Sequence, residues 1–332
     1  MRFVEEAVTA PAVLTSPDGA VIAVDVGGTT IKGALVDADG HFMRELARAT
    51  PAARGPEAVI SEVQAVVAEL DAAAPGPQAS VRSVAVVIPG IVDAAAGRAE
   101  YSANLGLRDV PLRDLIESTV GLPTLLEHDV RAAGVAERTV GITSGVDDYL
   151  LAVIGTGISG VVHAGGQPVR GASGIAGELG HIPVWPGGEP CPCGQRGCLE
   201  RYASASSIAR RYVEFGGERG ASPHEVAARR TSDPAAGRAW HEATESLAIA
   251  FVTCTMLLDP EMIVLAGGLS AAGDELLAPV EAELSARVTW REPPPVRLSP
   301  LGGRAGLVGA AVLAWQLLGV KAFGGWTTSP EC

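Results

Sequence analysis

The stretch VIAVDVGGTTIKGALV, residues 21–36, decides the fold class. Val21 to Val26 form an apolar, strand-type run. Gly27-Gly28-Thr29-Thr30 interrupts it and Ile31 to Val36 resumes it, so the segment reads as a hairpin with a Gly-rich turn. Asp37-Ala38-Asp39-Gly40 predicts a turn into a third strand, completing a β-meander. The pattern returns in YLLAVIGTGISGVVH, residues 149–163. There the strand Tyr149–Ile154 meets Gly155-Thr156-Gly157 and comes back through Val161-Val162-His163. Strand, Gly-Thr turn and strand thus occur twice, which points to an internal duplication; the plainer alternative is two unrelated hairpins.

Apolar spacing at Val59, Ile60, Val63, Val66, Val67 and Leu70 predicts a helix over 56–74. A strand at Val81–Ile88, a helix at Leu112–Val120, a strand at Thr124–Leu126 and a helix at Asp129–Arg138 follow. The second half adds helices around Ser206–Phe215, Glu225–Arg230 and Ala235–Leu258, a strand at Met262–Ala266 and a terminal helix. Alternating strands and helices define an α/β protein. Residues 1–20, with the turn signal Ser16-Pro17-Asp18-Gly19, read as a loose N-terminal arm. No Pro/Ser linker divides the rest. The expected division is a small α/β domain over 21–126, with the C-terminal helix near 306–320 packing back on it, and a large domain over 127–305.

Composition narrows the function. The 332 residues carry 25 Lys+Arg and 38 Asp+Glu, a net charge of −13, which repels polyanions and argues against nucleic-acid binding. With 47% hydrophobic and 19% charged residues, the chain has ample core and no mark of disorder. Aromatic residues are 4%, so stacking platforms are not an evident device. The acidic start, with Glu5 and Glu6, is a poor signal peptide. The apolar stretch 306–320 is short for a membrane span and contains Gln316. The expectation is a cytoplasmic protein without membrane contact.

His181, Cys191, Cys193 and Cys198 are spaced His-x9-Cys-x-Cys-x4-Cys. One imidazole and three thiolates are a donor set that structural Zn²⁺ prefers, and the Pro and Gly residues between them suit a loop wrapped around an ion. All four positions are filled by protein, so the metal would shape the loop rather than activate water. The alternative is a set of reduced free cysteines.

The turn after Asp25 has little side chain, so backbone N–H groups can approach an anion directly and Thr hydroxyls can add to them. Asp25, at a strand end, is placed to hold Mg²⁺ through water. Lys32 lends positive charge there or is simply solvated. The turn is not a Walker loop, and no Gly-x-Gly-x-x-Gly follows the first strand, which weakens a dinucleotide reading. Asp129 stands at a helix start, as a cap or as a general base for a substrate hydroxyl. Glu178 and Glu200 flank the metal loop and suit a polyhydroxylated ligand.

Together these pieces resemble the ROK family of the sugar kinase–Hsp70–actin superfamily, most closely the actinobacterial ROK glucokinases. The resemblance covers about residues 21–318. It rests on Asp25-Val-Gly-Gly-Thr29, Ser102-Ala-Asn104-Leu105, Glu127-His-Asp129, Gly155-Thr-Gly157, Gly177-Glu-Leu-Gly-His181, the run Cys191 to Glu200, and Ala266-Gly-Gly268. It implies a two-domain actin-like ATPase (ribonuclease H-like) fold with a duplicated β-meander, helices and a zinc loop over 181–198. It also implies an ATP-dependent hexose kinase acting on the 6-hydroxyl of glucose or a close analogue, and a homodimer or homotetramer.

By the same resemblance Asp129 is the catalytic base. Gly90, Asn104, Glu178, His181 and Glu200 bind the sugar. Gly27, Gly28, Thr29, Gly155, Thr156 and Gly157 hold the ATP phosphates beside Asp25, and Gly267 and Gly268 approach the adenosine. His181 serves both zinc and sugar. Two positions depart from the family pattern: His128 stands where Asn is usual, and Ile158-Ser159 where many glucokinases have another Gly. An amino sugar such as N-acetylmannosamine, N-acetylglucosamine or 3-aminoglucose is therefore an alternative acceptor. A rival from another class is a ROK sugar-sensing transcriptional regulator lacking its DNA-binding domain, a segment of roughly 60–80 residues that the resemblance would place before the first strand.

Overall fold

The computed structural model describes residues 18–74, 76, 80–320, 323 and 326. The predicted arm therefore lies outside the described residues up to position 17, as does Cys332.

The first half opens with β1 (Ala20–Val26), β2 (Thr30–Asp37) and β3 (Phe42–Ala49), an antiparallel meander. After α1 (Pro56–Ala72), β4 (Val81–Ile88) lies parallel to β1. A small antiparallel sheet of β5 (Ile91–Asp93), β6 (Arg98–Ser102) and β7 (Leu107–Val110) follows, then α2 (Leu112–Val120), β8 (Thr124–His128) parallel to β4, and α3 (Asp129–Val140). The main sheet runs β3-β2-β1-β4-β8.

The second half repeats the plan. β9 (Tyr149–Ile154), β10 (Ile158–Ala164) and the two-residue β11 (Gln167–Pro168) are antiparallel. The helices α4 (Glu200–Ala203), α5 (Ala205–Glu214), α6 (Pro223–Arg229) and α7 (Pro234–Leu258) lead to β12 (Met262–Ala266), parallel to β9. Then α8 (Asp274–Arg287), β13 (Val296–Leu298), parallel to β12, and α9 (Ala305–Leu317) close the chain. This sheet runs β11-β10-β9-β12-β13, the same order and sense as the first.

Continuous apolar runs mark the central strands because both faces are covered. Ile22, Val24 and Val26 pack with Val59, Val63 and Val67 of α1, while Val21 and Ala23 pack with Leu307, Ala311 and Trp315 of α9. The last helix thus lies on the first sheet and against α3. Asp129 begins α3, but it is not the cap. The cap is His128, whose Nδ1 accepts from the N–H of Val130 at 3.3 Å. The small sheet over 91–110, α8 and β13 have no counterpart in the sequence reading.

Candidate active site

Both Gly-Thr turns open onto one cleft of about 710 Å³ between the two main sheets. From the first half come Asp25 at the end of β1 and Gly27, Gly28 and Thr29 in the turn after it. The turn is held by Gly27 N–H to Thr30 O at 2.9 Å and by the Thr50 hydroxyl to Gly27 O at 2.6 Å. From the second half come Gly155, Thr156 and Gly157, with Gly267 and Gly268 at the end of β12. That turn is fixed by Gly155 N–H to Gly157 O at 2.9 Å and by the Ser206 hydroxyl to Thr156 O at 2.7 Å. Asp129, Gly90, Asn104, Glu178 and Glu200 line the same cleft. His181 lines an adjoining recess that shares Gly90, Asn104 and Glu178 with it.

Gly90 has φ of +113°, and a Cβ there would stand 2.2 Å from the carbonyl oxygen of Tyr101. No side chain fits, so backbone alone forms this wall. Glu200, first residue of α4, accepts from the Ile158 N–H at 2.8 Å.

Burial raises the carboxyl of Asp129 to about 6, against the Val130 N–H that it accepts at 2.7 Å and the positive charge of Arg131. Its side chain keeps 27% of its surface open. Burial, then the charge of Asp129, raises Asp25 to about 6 as well, with Lys32 opposing. Both acids are mostly ionised at neutral pH and close enough to it to exchange protons readily. Burial and Arg131 lower His128 to about 4, opposed by Glu178 and Glu127, so its ring is neutral and its Nδ1 is a lone-pair acceptor.

Glu127 and Arg131 brace this corner. Arg131 donates to Glu127 Oε1 at 2.7 Å, to Gly174 O at 3.0 Å and to Val92 O at 3.3 Å. It thereby ties α3 to the small sheet and to the segment leading into Glu178.

Beside Glu178 and Glu200 in the chain, His181, Cys191, Cys193 and Cys198 bring their ligand atoms within 4.8 Å of one another. His181 Nδ1 lies 3.7 Å from Cys191 Sγ, and Cys193 Sγ lies 3.7 Å from Cys198 Sγ. Tetrahedral Zn²⁺ with bonds of about 2.3 Å sets sulfurs roughly 3.8 Å apart, so the set fits that ion. The other ring nitrogen, Nε2, faces Glu178 Oε2 at 3.8 Å. Glu189 anchors the loop, accepting from Arg210 at 2.7 Å and from the mostly buried Arg211.

The sequence did not single out Gly303 or Thr30, which also line the cleft. Lys32 reaches across it to donate to Gly303 O at 2.7 Å. The Gly302-Gly303 pair before an apolar helix was the available signal.

A model of the ROK family matches residues 21–317. The chain belongs to the ROK family. A glucokinase of Halalkalibacterium halodurans is 32% identical over 312 residues, covering 89% of this chain and 94% of that protein. An N-acetylmannosamine kinase of Shigella flexneri is 32% identical over 300 residues, covering 89% and 98%. Among solved structures, a ROK family glucokinase from Streptomyces griseus in complex with glucose and AMPPNP is 31% identical with a TM-score of 0.78, covering 90% of this chain and all of that one. The duplicated sheet is thus the two-domain ROK sugar kinase fold, of actin-like ATPase type, as the sequence led us to expect.

Proposed function

We propose that this ROK protein is an ATP-dependent glucose kinase that phosphorylates the 6-hydroxyl, with Asp129 as general base. The observation that carries this reading is the convergence of Asp129 and both Gly-Thr turns on one cleft. Phosphoryl transfer asks mainly for positioning and charge stabilisation. Asn104, Glu178, Glu200 and His181 would hold the sugar hydroxyls, and the Gly90 backbone would lie against the ring. Gly27, Gly28, Thr29, Gly155, Thr156 and Gly157 would hold the phosphates, and Gly267 and Gly268 would flank the adenosine. Asp129 then takes the hydroxyl proton as its oxygen attacks the γ-phosphorus and ADP leaves. Asp25 is the residue that would hold Mg²⁺, which when bound supplies positive charge to the phosphates.

His181, Cys191, Cys193 and Cys198 would hold Zn²⁺ as a structural ion, fixing the imidazole and, through it, Glu178. The protein would act in the cytoplasm as a homodimer or homotetramer, independently of nucleic acid and membranes. Among the described residues no helix is long and apolar enough to cross a membrane. The test is ADP release on adding glucose to the protein with MgATP, with the product identified by NMR. ADP release without a sugar 6-phosphate, or none with any hexose, would reject the reading.

A further inference from the structure

The acceptor site ends in a recess that a sugar held by Gly90, Asn104, Glu178 and His181 would enter. It measures about 310 Å³, already the scale of a small-ligand pocket. It shares Gly90, Asn104 and Glu178 with the main cleft, but neither Asp129 nor either phosphate turn lines it. Its outer wall is carbon. Ile91 is 42% exposed, Tyr101 38% and Ile175 49%, and none of the three joins a core cluster. Ile91 and Tyr101 are cross-strand partners on β5 and β6. The guanidinium of Arg108 lies 4.7 Å over the Tyr101 ring and holds its orientation. Ile175 comes from the opposite half of the chain, in the segment that Arg131 ties down through Gly174.

Three large side chains present exposed carbon around a recess whose other polar groups include Ser102, Asn104, Glu178 and His181, which calls for a ligand with an apolar part. The position of the recess says which part of the ligand it meets. In a hexopyranose the ring carbon opposite C5 is C2. An acceptor with its 6-hydroxyl at Asp129 therefore turns C2, flanked by C1 and C3, away from Asp129, toward the recess.

We propose that the recess binds an apolar substituent, longer than acetyl, on the edge of the hexose remote from C6, carried as an N-acyl chain on C2 or an alkyl chain on O1. This rests on the kinase reading for the direction of the sugar, but it is tested by binding and not by turnover.

The experiment measures dissociation constants by titration calorimetry on the full chain. One series is N-acetyl-, N-butanoyl- and N-hexanoylglucosamine; the other is methyl, butyl and hexyl glucopyranoside. In one series the dissociation constant falls about two- to fourfold per added methylene, as expected for CH₂ groups leaving water, and that series identifies the attachment point. The double variant Ile91→Ser/Ile175→Ser flattens that dependence on chain length. Both substitutions are at exposed positions, so the fold is retained. Affinity that is flat or weakens with length in both series overturns the proposal. So does a double variant that weakens every member equally with the chain-length slope intact, which would make the three side chains a clasp over any sugar. ADP release with glucose is scored separately, so loss of this proposal leaves the kinase reading standing, and the reverse.

Discussion

The backbone N–H of Ile158 donates to Glu200 Oε2 at 2.8 Å, joining the second Gly-Thr turn to the acid that follows the cysteine loop. A Cβ on Gly157 would stand 2.5 Å from the same oxygen. Gly157→Ala must push Glu200 aside, and sub-ångström misplacement of a binding group is costly. We expect kcat/KM for glucose to fall roughly 10- to 100-fold, with the KM for both glucose and ATP raised. Steady-state kinetics check this; an unchanged glucose KM would dissolve the link between this turn and Glu200.

Asp129→Asn keeps the acceptor oxygen for the Val130 N–H but removes the base. General bases contribute about 10²–10⁴-fold, so kcat should fall by that order while glucose affinity stays within roughly threefold. Rapid-quench turnover and titration calorimetry measure the two separately. Near-normal kcat would take the proton-accepting role away from Asp129.

The raised carboxyls of Asp129 and Asp25 set the pH dependence. If both act ionised, kcat/KM falls as pH drops through about 6, with a log–log slope approaching two. Stability runs the other way. Each folded value lies above the ordinary one, so the favourable contribution is complete below the unfolded pKa near 3.8 and lost as pH rises through about 6. Asp129→Asn should therefore stabilise the protein at pH 8, by on the order of 1–3 kcal/mol, with the gap closing toward pH 4. Chemical denaturation at the two pH values reads this out.

The cap made by His128 gives a separable effect. His128→Ala removes one of the two acceptors of the Val130 N–H, leaving Asp129 Oδ1, and should cost about 0.5–1 kcal/mol, whereas His128→Asn restores the second acceptor and most of that stability. Melting curves of the two variants compare them. Because the imidazole titrates near 4, the wild-type profile should carry no histidine limb from this residue between pH 6 and 8.

Metal removal should act on the sugar side first. Elemental analysis should find about one zinc per chain. Chelation should lower the melting temperature and raise the glucose KM before the ATP KM, since His181 and Glu178 line the recess proposed to hold the sugar while the two Gly-Thr turns are braced elsewhere. A metal-free protein of full activity and unchanged melting temperature would refute the zinc assignment.

Much of this was legible in the sequence because local chemistry carried it. Gly-Thr turns between strand runs, three cysteines within eight residues and an acid at a helix start each have a short-range cause. What was hidden depends on distant contacts. β5, β6 and β7 are three to five residues long and lack clean alternation, so only their pairing defines them. α8 buries Leu276, Val280 and Leu284 but contains Pro279, which obscures it as a helix. Gly303 enters the site through Lys32, 271 positions away. The residue type of Asp129 suits a cap, but the imidazole before it holds that position.

The seat of the last helix on the first sheet has a consequence for biosynthesis. Val21, Ala23, Ala85 and Val87 bury one face of their sheet mainly against Leu307, Ala311, Ala314 and Trp315 of α9, with Ala132 of α3 beside them. The ribosome delivers the strands first and their cover last. At roughly 5–20 residues per second, that apolar face waits on the order of 15–60 s for its lid. During this interval the nascent first half is a natural client for chaperones, and truncations that remove α9 should aggregate rather than fold.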